Sequence, residues 1–584
     1  MRRLLVLAAL LLAALGAAAP AVAADSTATG TGGAASSVDA LATGTALQSL
    51  RDGGNAIDAA VAAAGVLGVV EPFSSGIGGG GFMVIRTKDG KVTTVDSRET
   101  APAAMSPTSF FADGKPLSFA DARLSGLSAG VPGTVRGWEL ALRDYGTWSL
   151  GRALKPGIHV AKDGFPVDDT FAGQIEDNQA AFAQVPSTAA IYLDPDGTPR
   201  DVGSTLRNPD LAGTYEAIAK HGADAFYSGP IAQSIVDAVD HPPVKTDPAH
   251  PEVFQPGVMT TGDLAAYEAL ERDPTHSQFR GLDVYGMGPP SSGGTTVGEI
   301  LNILDRTDLG GGDRAKALHL FMEASALAYA DRGAYLGDPA YVDVPVAGLL
   351  SPEFASLRRA LIDPAATAPR PVQAGDPLPY DDTPPPVTVP TIQRTGSTTH
   401  LTVADDQGNV VSYTFTIEQI GGNAIVVPGR GFLLNNELTD FSFDDPDTPN
   451  KVEGGKRPRS SMSPTIVERD GEPLLAVGSP GGATIITTVA QVLFDRLGLG
   501  SSLPAAIAEP RVSERNTAKA DAEPGFIASS EGQALASTYG HVFNPVDEIG
   551  TVAGVEWLGD GRLLAAAEPV RRGGGSAGVV TPGG

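Results

Sequence analysis

The chain has 584 residues, no cysteine and a formal net charge of −27 at pH 7. A surface this acidic repels nucleic-acid phosphates and anionic lipid, so partners of both kinds are disfavoured. The absence of cysteine excludes disulfides, thiolate metal sites, iron–sulfur clusters and a cysteine nucleophile.

The N-terminus has the pattern of an export signal. Arg2 and Arg3 precede an apolar run, Leu4–Leu15, which is too short to span a bilayer, and the small residues Ala21 and Ala23 follow as a cleavage site. The sequence therefore predicts a signal peptide over residues 1–24 and a secreted or periplasmic protein with no membrane span.

The first two-thirds of the chain alternate helical and extended signals. Asn55–Val70 is apolar nearly all round, which predicts a buried helix, and Phe82–Ile85 begins a strand. Further helical patterns lie near Pro132–Tyr145, Leu211–His221 and Ala315–Ala330. A Pro/Asp-rich segment, Ile362–Pro390, then predicts an exposed, mobile connector without regular structure.

The remaining third reads mainly as strands. Thr398–Ala404, a turn at Asp405–Asn409 and Val410–Thr416 together predict a β-hairpin. Later segments predict three strands and one helix, at Thr465–Glu468, Leu474–Val477, Ala553–Leu558 and Ala483–Leu497 respectively.

Two common types of site find no support. Gly76–Gly81 satisfies the dinucleotide fingerprint, but a helix precedes it and a strand follows, which is the reverse of the required order. These glycines instead predict a tight turn that another backbone approaches closely. The eight histidines lack metal-ligand spacing, and no serine-hydrolase elbow is present, so no metal or cofactor is expected.

Gly396–His400 carries the strongest chemical signal. Two threonines in a strand are usually explained by β-propensity alone. Here, however, Thr398 follows small residues and a loose connector, so its hydroxyl could attack the carbonyl of Ser397. Cleavage there would free the α-amine of Thr398, which can act as the base for its own hydroxyl without any histidine.

Several blocks resemble the gamma-glutamyltransferase family of N-terminal-nucleophile hydrolases, and they occur in the family's order. They are Asp52–Ala60, Ser75–Ile85, Ser97–Pro102, Val131–Gly133, Pro290–Gly294, Tyr329–Arg332, Thr398–His400, Leu434–Glu437, Lys456–Thr465 and Gly478–Gly482. The resemblance implies a four-layer αββα sandwich made as one precursor. Cleavage between Ser397 and Thr398 would leave a large subunit, 25–397, with a mobile tail at 362–397, and a small subunit, 398–584, as two parts of one fold.

The resemblance also implies catalytic roles. Thr398 matches the nucleophile, and Thr416 matches a threonine that hydrogen-bonds it. Gly481 and Gly482 match the oxyanion-hole donors, where glycine suits the close approach of two backbone N–H groups.

Binding roles follow in the same way. Arg98, Ser460 and Ser461 match the group that holds the substrate α-carboxylate, a task suited to a guanidinium. Glu437 and Asp440 match the partners of the substrate α-ammonium, and Glu418 replaces an asparagine found near that group in many bacterial members. Without the resemblance, Arg98 would be a surface ion pair with Asp96 or Glu99, Glu437 and Asp440 solvated loop charges, and Glu418 a surface partner of Arg430.

The implied activity is transfer of a γ-glutamyl group from glutathione or another γ-glutamyl compound to water or to an amino acid or dipeptide acceptor. A short connection at 441–455 predicts an open pocket in which water competes with acceptors. A glutaryl-cephalosporin acylase of the same fold is the alternative, although the acidic set favours a substrate with an ammonium group. A binding protein that has lost catalysis is disfavoured because Thr398, Thr416 and the glycine pair are all retained.

Overall fold

The computed structural model describes residues 26–245, 254–381, 396–445 and 447–581. The predicted signal peptide, 1–24, lies outside the described residues, as does 382–395 of the predicted connector and large-subunit tail. Among the described residues, no helix combines the length and the apolar character needed to cross a bilayer.

The strands range from two-residue pairs to seven-residue segments. In chain order they are β1 Thr27–Gly30, β2 Ala34–Ser37, β3 Gly80–Arg86, β4 Val92–Asp96, β5 Phe111–Ala112, β6 Lys115–Pro116, β7 Phe165–Pro166, β8 Thr205–Leu206, β9 Leu270–Arg272, β10 Thr275–Phe279, β11 Leu282–Gly286, β12 Thr399–Ala404, β13 Val410–Thr416, β14 Thr465–Arg469, β15 Glu472–Gly478, β16 Val512–Ser513, β17 Ala520–Ala522, β18 Phe543–Pro545, β19 Ala553–Trp557, β20 Leu563–Ala567 and β21 Ser576–Val579.

The α-helices flank these strands. They are α1 Ala40–Arg51, α2 Ala56–Val70, α3 Phe119–Arg123, α4 Thr134–Tyr145, α5 Leu150–Ala153, α6 Lys155–Asp163, α7 Asp169–Gln184, α8 Pro186–Tyr192, α9 Pro209–His221, α10 Asp224–Tyr227, α11 Gly229–Asp240, α12 Thr261–Ala265, α13 Gly293–Asp305, α14 Arg314–Tyr335, α15 Val346–Leu349, α16 Pro352–Arg359, α17 Ile485–Leu493, α18 Leu503–Ala508, α19 Pro524–Ala528 and α20 Ser530–Ala534. Short 3-10 turns include Glu437–Asp440 and Gly482–Thr484.

Two seven-stranded antiparallel sheets form the centre of the molecule. One has the order β1-β20-β19-β15-β14-β11-β10 and the other the order β21-β2-β12-β13-β3-β4-β9. The outer face of the second sheet packs on α1, α2 and α4, and that of the first packs on α13 and α17, with α14 packed against α13. The predicted four-layer αββα sandwich is therefore confirmed.

The faces that the two sheets turn toward each other carry hydroxyl groups. On β13, Val411, Tyr413 and Phe415 pack into the helical layer, and the intervening Ser412 reaches the opposite sheet, donating to the carbonyl of Val477 at 3.0 Å. This alternation follows from the two-residue period of a strand. His400 lies in this interface between the hydroxyls of Thr414 and Thr402, and burial lowers its pKa to about 3.

Most predicted elements occur where the sequence places them. The hairpin is β12–β13 with its turn at 405–409, and the predicted Asn55–Val70 helix is α2. The helix predicted over Ala483–Leu497 is shorter than expected. It begins only at Ile485, because Gly482–Thr484 forms a 3-10 turn, and from Phe494 onward it continues as a π-helical turn.

The Gly76–Gly81 turn is one of close approach, as predicted. A Cβ atom added at Gly78 would lie 1.9 Å from the carbonyl oxygen of Leu433, and one added at Gly79 would lie 1.9 Å from that of Thr416. These contacts bring the turn against the end of β13. The glycines therefore allow the turn to pack closely beside Thr416.

The described part of the connector, 362–381, contains only a short 3-10 turn, Leu378–Tyr380. It packs against α14 through specific polar contacts. Arg370 forms an ion pair with Glu323 on α14 at 2.6 Å, and the amide of Gly375 donates to Asp331 at 2.5 Å. Its mobility stays a prediction.

We predict that Gly478→Ala destabilises the sandwich by about 1–3 kcal/mol, the usual cost of overpacking a core. The new Cβ would lie 2.3 Å from Cε1 of His400, which is held on both ring nitrogens and cannot turn away. The midpoint of thermal unfolding should fall. Gly213→Ala is the control, because that position on α9 has nothing within 4 Å, and its midpoint should stay level or rise.

Candidate active site

The pairing of β12 with β13 places two threonines side by side. Thr399 pairs with Phe415, so the preceding Thr398 lies beside Thr416, with 3.3 Å between their hydroxyl oxygens. The Thr416 hydroxyl donates to the carbonyl oxygen of Ser397 at 2.7 Å. The Thr398 hydroxyl lies 2.6 Å from the same oxygen. The peptide bond predicted to be cut is thus held between both hydroxyls.

The backbone of Glu418 holds both Thr416 and Ser397 in place. Its backbone N–H donates to the Thr416 hydroxyl at 2.8 Å, and its carbonyl accepts from the N–H of Ser397 at 2.5 Å. Its φ of 78° lies in the left-handed region, which is unfavourable for a residue with a side chain. Such strain at a site position persists only where the surroundings impose it.

A cavity opens beside this peptide. It brings together all the sequence-predicted site residues except Gly481. Its lining is Arg98, Arg332, Gly396, Ser397, Thr398, Thr416, Glu418, Glu437, Asp440, Arg459, Ser460, Ser461, Met462, Gly482, Ala483 and Ile485. Gly481 lines a neighbouring cavity, which Gly396 and Ser397 also line. Gly396 and Ser397 therefore border both cavities.

Gly481 and Gly482 have φ values of 136° and 56°, which favour glycine. Their N–H groups donate to no acceptor within the described part of the chain. Two such donors at the end of β15 could stabilise an oxyanion formed at Thr398. That role stays a prediction.

Arg98 is buried and already neutralised. Its guanidinium pairs with Glu437, with Asp440 at 2.6 Å, and with the carbonyl of Pro458 at 3.0 Å. Burial by itself lowers the pKa of Arg98, but the carboxylates outweigh burial and the net shift is upward. The alternative of a surface ion pair is wrong, because the side chain is only 1% exposed.

Three carboxylates gather at this end of the cavity. Burial raises the pKa of Glu437 to about 7 against the opposing effect of Arg98. Burial, followed by repulsion from Asp440 and Glu437, raises the pKa of Glu418 well above its ordinary value. Glu418 accepts hydrogen bonds from Asn436 and from Gln419.

The solvated alternatives for these acidic residues do not hold. Arg430 bonds to Ser234 and to the carbonyl of Pro230, so the surface pair with Glu418 is wrong. Glu437 is buried, which contradicts a solvated loop charge. The Asp440 side chain is 29% exposed, but it is paired with Arg98 and is therefore not a free loop charge.

The predicted serines differ in what they contact. Ser460 accepts from the N–H of Met462 at 3.1 Å, and its own N–H donates to the carbonyl of Pro290 at 3.0 Å. Ser461 accepts from Nη2 of Arg332 at 2.8 Å. The arginine that contacts a predicted serine side chain is therefore Arg332.

Arg332 and Arg459 are cavity residues that the sequence reasoning did not assign. Both are buried, and both lie in segments that carry the family resemblance. Their position inside those segments could have indicated them as candidate site residues. The sequence alone does not show that α14 brings Arg332 to the cavity.

The predicted openness of the pocket beside the connection 441–455 stays a prediction. None of its described residues lines the cavity. Phe441 and Phe443 instead pack in a small apolar cluster with Phe110 and Val452.

One group of metal-ligand side chains occurs in the described part of the chain, away from the cavity lining. It comprises His319, Glu323 and His541, whose ligand atoms lie within 4.8 Å of one another. Glu323 already accepts from Arg370 and from Thr367, and the two histidines hydrogen-bond each other at 2.9 Å. A cationic side chain thus already compensates the carboxylate.

Comparisons with known proteins agree on one family. A family model described as gamma-glutamyltranspeptidase matches residues 42–578. The glutathione hydrolase proenzyme of Bacillus subtilis (strain 168) is 41% identical over 519 residues, covering 87% of this chain and 84% of the relative. The Acylase ACY 1 proenzyme of Pseudomonas sp. (strain SE83) is 34% identical over 483 residues, covering 81% and 80%. The crystal structure of cephalosporin acylase from Bacillus halodurans matches with a TM-score of 0.82 at 27% identity, covering 97% of this chain and 99% of that one.

The buried carboxylates generate a prediction about pH. A folded-state pKa near 7, above the ordinary 4.5, means that Glu437 gives stability through its proton below pH 4.5 and loses it as the pH rises through about 7. The melting temperature should therefore fall between pH 5 and 8, and the fall should be smaller in Glu437→Gln. Glu472→Gln, which changes an exposed carboxylate on β15, should keep the wild-type slope. Parallel slopes in all three proteins would contradict the assignment.

Proposed function

The chain belongs to the gamma-glutamyltranspeptidase family and is an enzyme of that kind, and from this premise we propose that it matures by self-cleavage before Thr398. The contact between the Thr398 hydroxyl and the Ser397 carbonyl, at 2.6 Å, carries the proposal. The large and small subunits, 25–397 and 398–584, would remain together because they share both sheets.

The cleavage begins when Thr398 Oγ attacks the carbonyl carbon of Ser397. The hydrogen bond from Thr416 polarises that carbonyl. The C–N bond breaks as the nitrogen takes a proton, which leaves an ester between Ser397 and the Thr398 side chain. Water then hydrolyses the ester, giving a carboxylate on Ser397 and a free α-amine and hydroxyl on Thr398.

The mature site would use the same atoms on substrate. The free α-amine, with an ordinary pKa of about 7.7–8.0, removes the proton of the Thr398 hydroxyl. The hydroxyl oxygen attacks the γ-amide carbonyl of the donor, and the N–H groups of Gly481 and Gly482 stabilise the oxyanion. The amine leaves with a proton, and the γ-glutamyl ester passes to water or to an acceptor amine.

The charges of the cavity suit a γ-glutamyl head group. Glu418, Glu437 and Asp440 form an acidic cluster that fits an α-ammonium, and the guanidinium groups of Arg98, Arg332 and Arg459 also line the cavity. Glutathione and other γ-glutamyl compounds are the proposed donors, and water, amino acids and dipeptides are the proposed acceptors. The open pocket favours substantial hydrolysis.

Export is part of the proposal. Its support is the sequence pattern of residues 1–24, and a secreted or periplasmic enzyme would act on γ-glutamyl compounds outside the cytoplasm.

An acylase for glutaryl-type amides is the second candidate. It is favoured by the similarity to cephalosporin acylase over nearly the whole chain. A glutaryl group has the distal carboxylate but lacks the ammonium, so the acidic end of the cavity distinguishes the two candidates.

We predict that Thr398→Ala remains one full-length, inactive chain and that Thr398→Ser cleaves slowly, because serine keeps the hydroxyl but is less constrained at χ1. A denaturing gel of purified protein gives the measurement, with wild type showing two bands. Cleavage of Thr398→Ala at the same bond would indicate an external protease. A wild-type chain that never cleaves would favour a binding protein.

We also predict that wild type releases the aniline from a γ-glutamyl anilide faster than from a glutaryl anilide. Glu418→Gln should weaken binding of the γ-glutamyl donor about ten-fold, equivalent to ~1.4 kcal/mol. It should weaken binding of the glutaryl donor much less. Chromogenic anilides measure both rates. Equal losses would mean that Glu418 does not read the amino group, and a wild-type preference for glutaryl would favour the acylase.

A further inference from the structure

Residues 362–381 lie between the two parts of the chain that self-cleavage before Thr398 would separate. The segment follows α16 and belongs to the large subunit, 25–397. It contacts α14 of the large subunit on one side and residues 514–539 of the small subunit on the other. We call this segment the strap.

Arg370 joins the two subunits within the strap. Its Nη2 lies 2.6 Å from Oε1 of Glu323 on α14, and its Nε lies 3.6 Å from Oε1 of Glu514 in the small subunit. All three side chains are buried. Burial raises the pKa of Glu514 to about 7, and the positive charge of Arg370 opposes this shift. Without the guanidinium, one buried carboxylate from each subunit would lose its counter-charge, which is costly inside a protein.

Backbone groups of the strap are paired with the small subunit. The N–H of Val372 donates to Oδ1 of Asn516 at 2.7 Å, and Nδ2 of Asn516 donates back to the carbonyl of Val372 at 2.9 Å. The N–H of Thr367 donates to the carbonyl of Tyr539 at 2.8 Å. A segment without regular structure needs such partners for its buried polar groups, and here the small subunit supplies them.

The later part of the strap is fixed to the large subunit. The N–H of Gly375 donates to Asp331 on α14 at 2.5 Å, and its carbonyl accepts from the Tyr335 hydroxyl at 2.7 Å. A Cβ atom added at Gly375 would lie 2.8 Å from the ring of Phe354 on α16, so the backbone there is in close contact. The strap is therefore held on both sides of the subunit boundary.

The group of His319, Glu323 and His541 contacts the first part of the strap. Nε2 of His319 lies 2.8 Å from the carbonyl oxygen of Asp363, and because a carbonyl only accepts, this nitrogen carries the proton. In a neutral His319, Nδ1 is then the acceptor for Nε2 of His541, at 2.9 Å, across the subunit boundary. Glu323 also accepts from the Thr367 hydroxyl at 2.7 Å. Side chains of the kind that bind metals are thus used here to bind the strap.

We propose that the strap stays docked after self-cleavage and clamps the small subunit to the large subunit, with Arg370 as the residue that bridges them. The partner that the strap fits is a surface built from both subunits, acidic at Glu323 and Glu514. The inference rests on the proposed function, since the strap becomes an inter-subunit contact only when the chain is cut.

Hydrogen exchange measured by mass spectrometry tests whether the strap stays docked. In self-cleaved wild type, the bonded N–H groups of Thr367, Val372 and Gly375 should exchange about a hundred-fold more slowly than in a synthetic peptide of residues 362–381. Arg370→Gln should speed this exchange about ten-fold and leave α9 unchanged. Exchange in wild type as fast as in the synthetic peptide would overturn the proposal.

Subunit release tests the clamp. In urea below the unfolding transition, size-exclusion chromatography should show that self-cleaved Arg370→Gln releases the small subunit about ten-fold faster than wild type, because two carboxylates lose their counter-charge. Asn516→Ala, which removes neutral hydrogen bonds, should give a smaller increase. Arg200→Gln is the control and should keep the wild-type rate, because its ion pair with Asp194 lies within the large subunit. Wild-type rates in both strap variants would overturn the proposal.

The uncut Thr398→Ala chain separates the clamp from general stability. At the same urea concentration, Thr398→Ala combined with Arg370→Gln should keep its near-ultraviolet circular dichroism, and its unfolding there would overturn the clamp. If Arg370→Gln does not fold, Arg370→Lys replaces it and should show the same pattern with a smaller effect. A wild-type chain that never cleaves would refute the proposed maturation and the clamp together, whereas wild-type release rates in cleaved variants would overturn the clamp alone.

Discussion

The register of the β12–β13 pair is the constraint on which the site depends. Pairing Thr399 with Phe415 sends the side chains of Tyr413 and Phe415 into the helical layer, so the alternate hydroxyls face the second sheet. Thr398 and Thr416 then stand together at the open end of this hydroxyl face. A slip of one residue would exchange the two faces, burying hydroxyls in the apolar layer and removing both threonines from the Ser397 carbonyl.

Burial affects the charged residues near Thr398 and Thr416 as much as their mutual attraction does. Arg98 is inserted between Glu437 and Asp440, which lets two carboxylates remain close together inside the protein. Glu418 accepts from the side-chain amides of Asn436 and Gln419, and burial, followed by repulsion from Asp440 and Glu437, raises its pKa. The guanidinium of Arg332, in the same cavity, donates to neutral hydroxyls. Among the described residues, neither Glu418 nor Arg332 has an oppositely charged hydrogen-bond partner.

Local chemistry predicted much of the framework. The apolar α2, the β12–β13 hairpin and the close-packed Gly78–Gly79 turn each depend on patterns within a few residues, and each occurs where it is expected. The predicted helix at Ala483–Leu497 was too long at both ends. Its apolar periodicity could not show that Gly482 begins a 3-10 turn or that the helix widens into a π-turn at Phe494.

The sequence by itself determined the family, and it predicted the class of chemistry from a threonine after small residues at the start of a strand, two glycines after a second strand, and no cysteine or metal-ligand pattern. It also identified most of the residues that line the cavity, through motifs that resemble a family. Only the tertiary structure decided how the charges pair. Arg98 meets Glu437 across 339 positions of sequence, and Arg332 reaches Ser461 across 129. Side-chain partners at such separations depend on how the two sheets and α14 pack, because local pattern carries no information about which buried charge faces which.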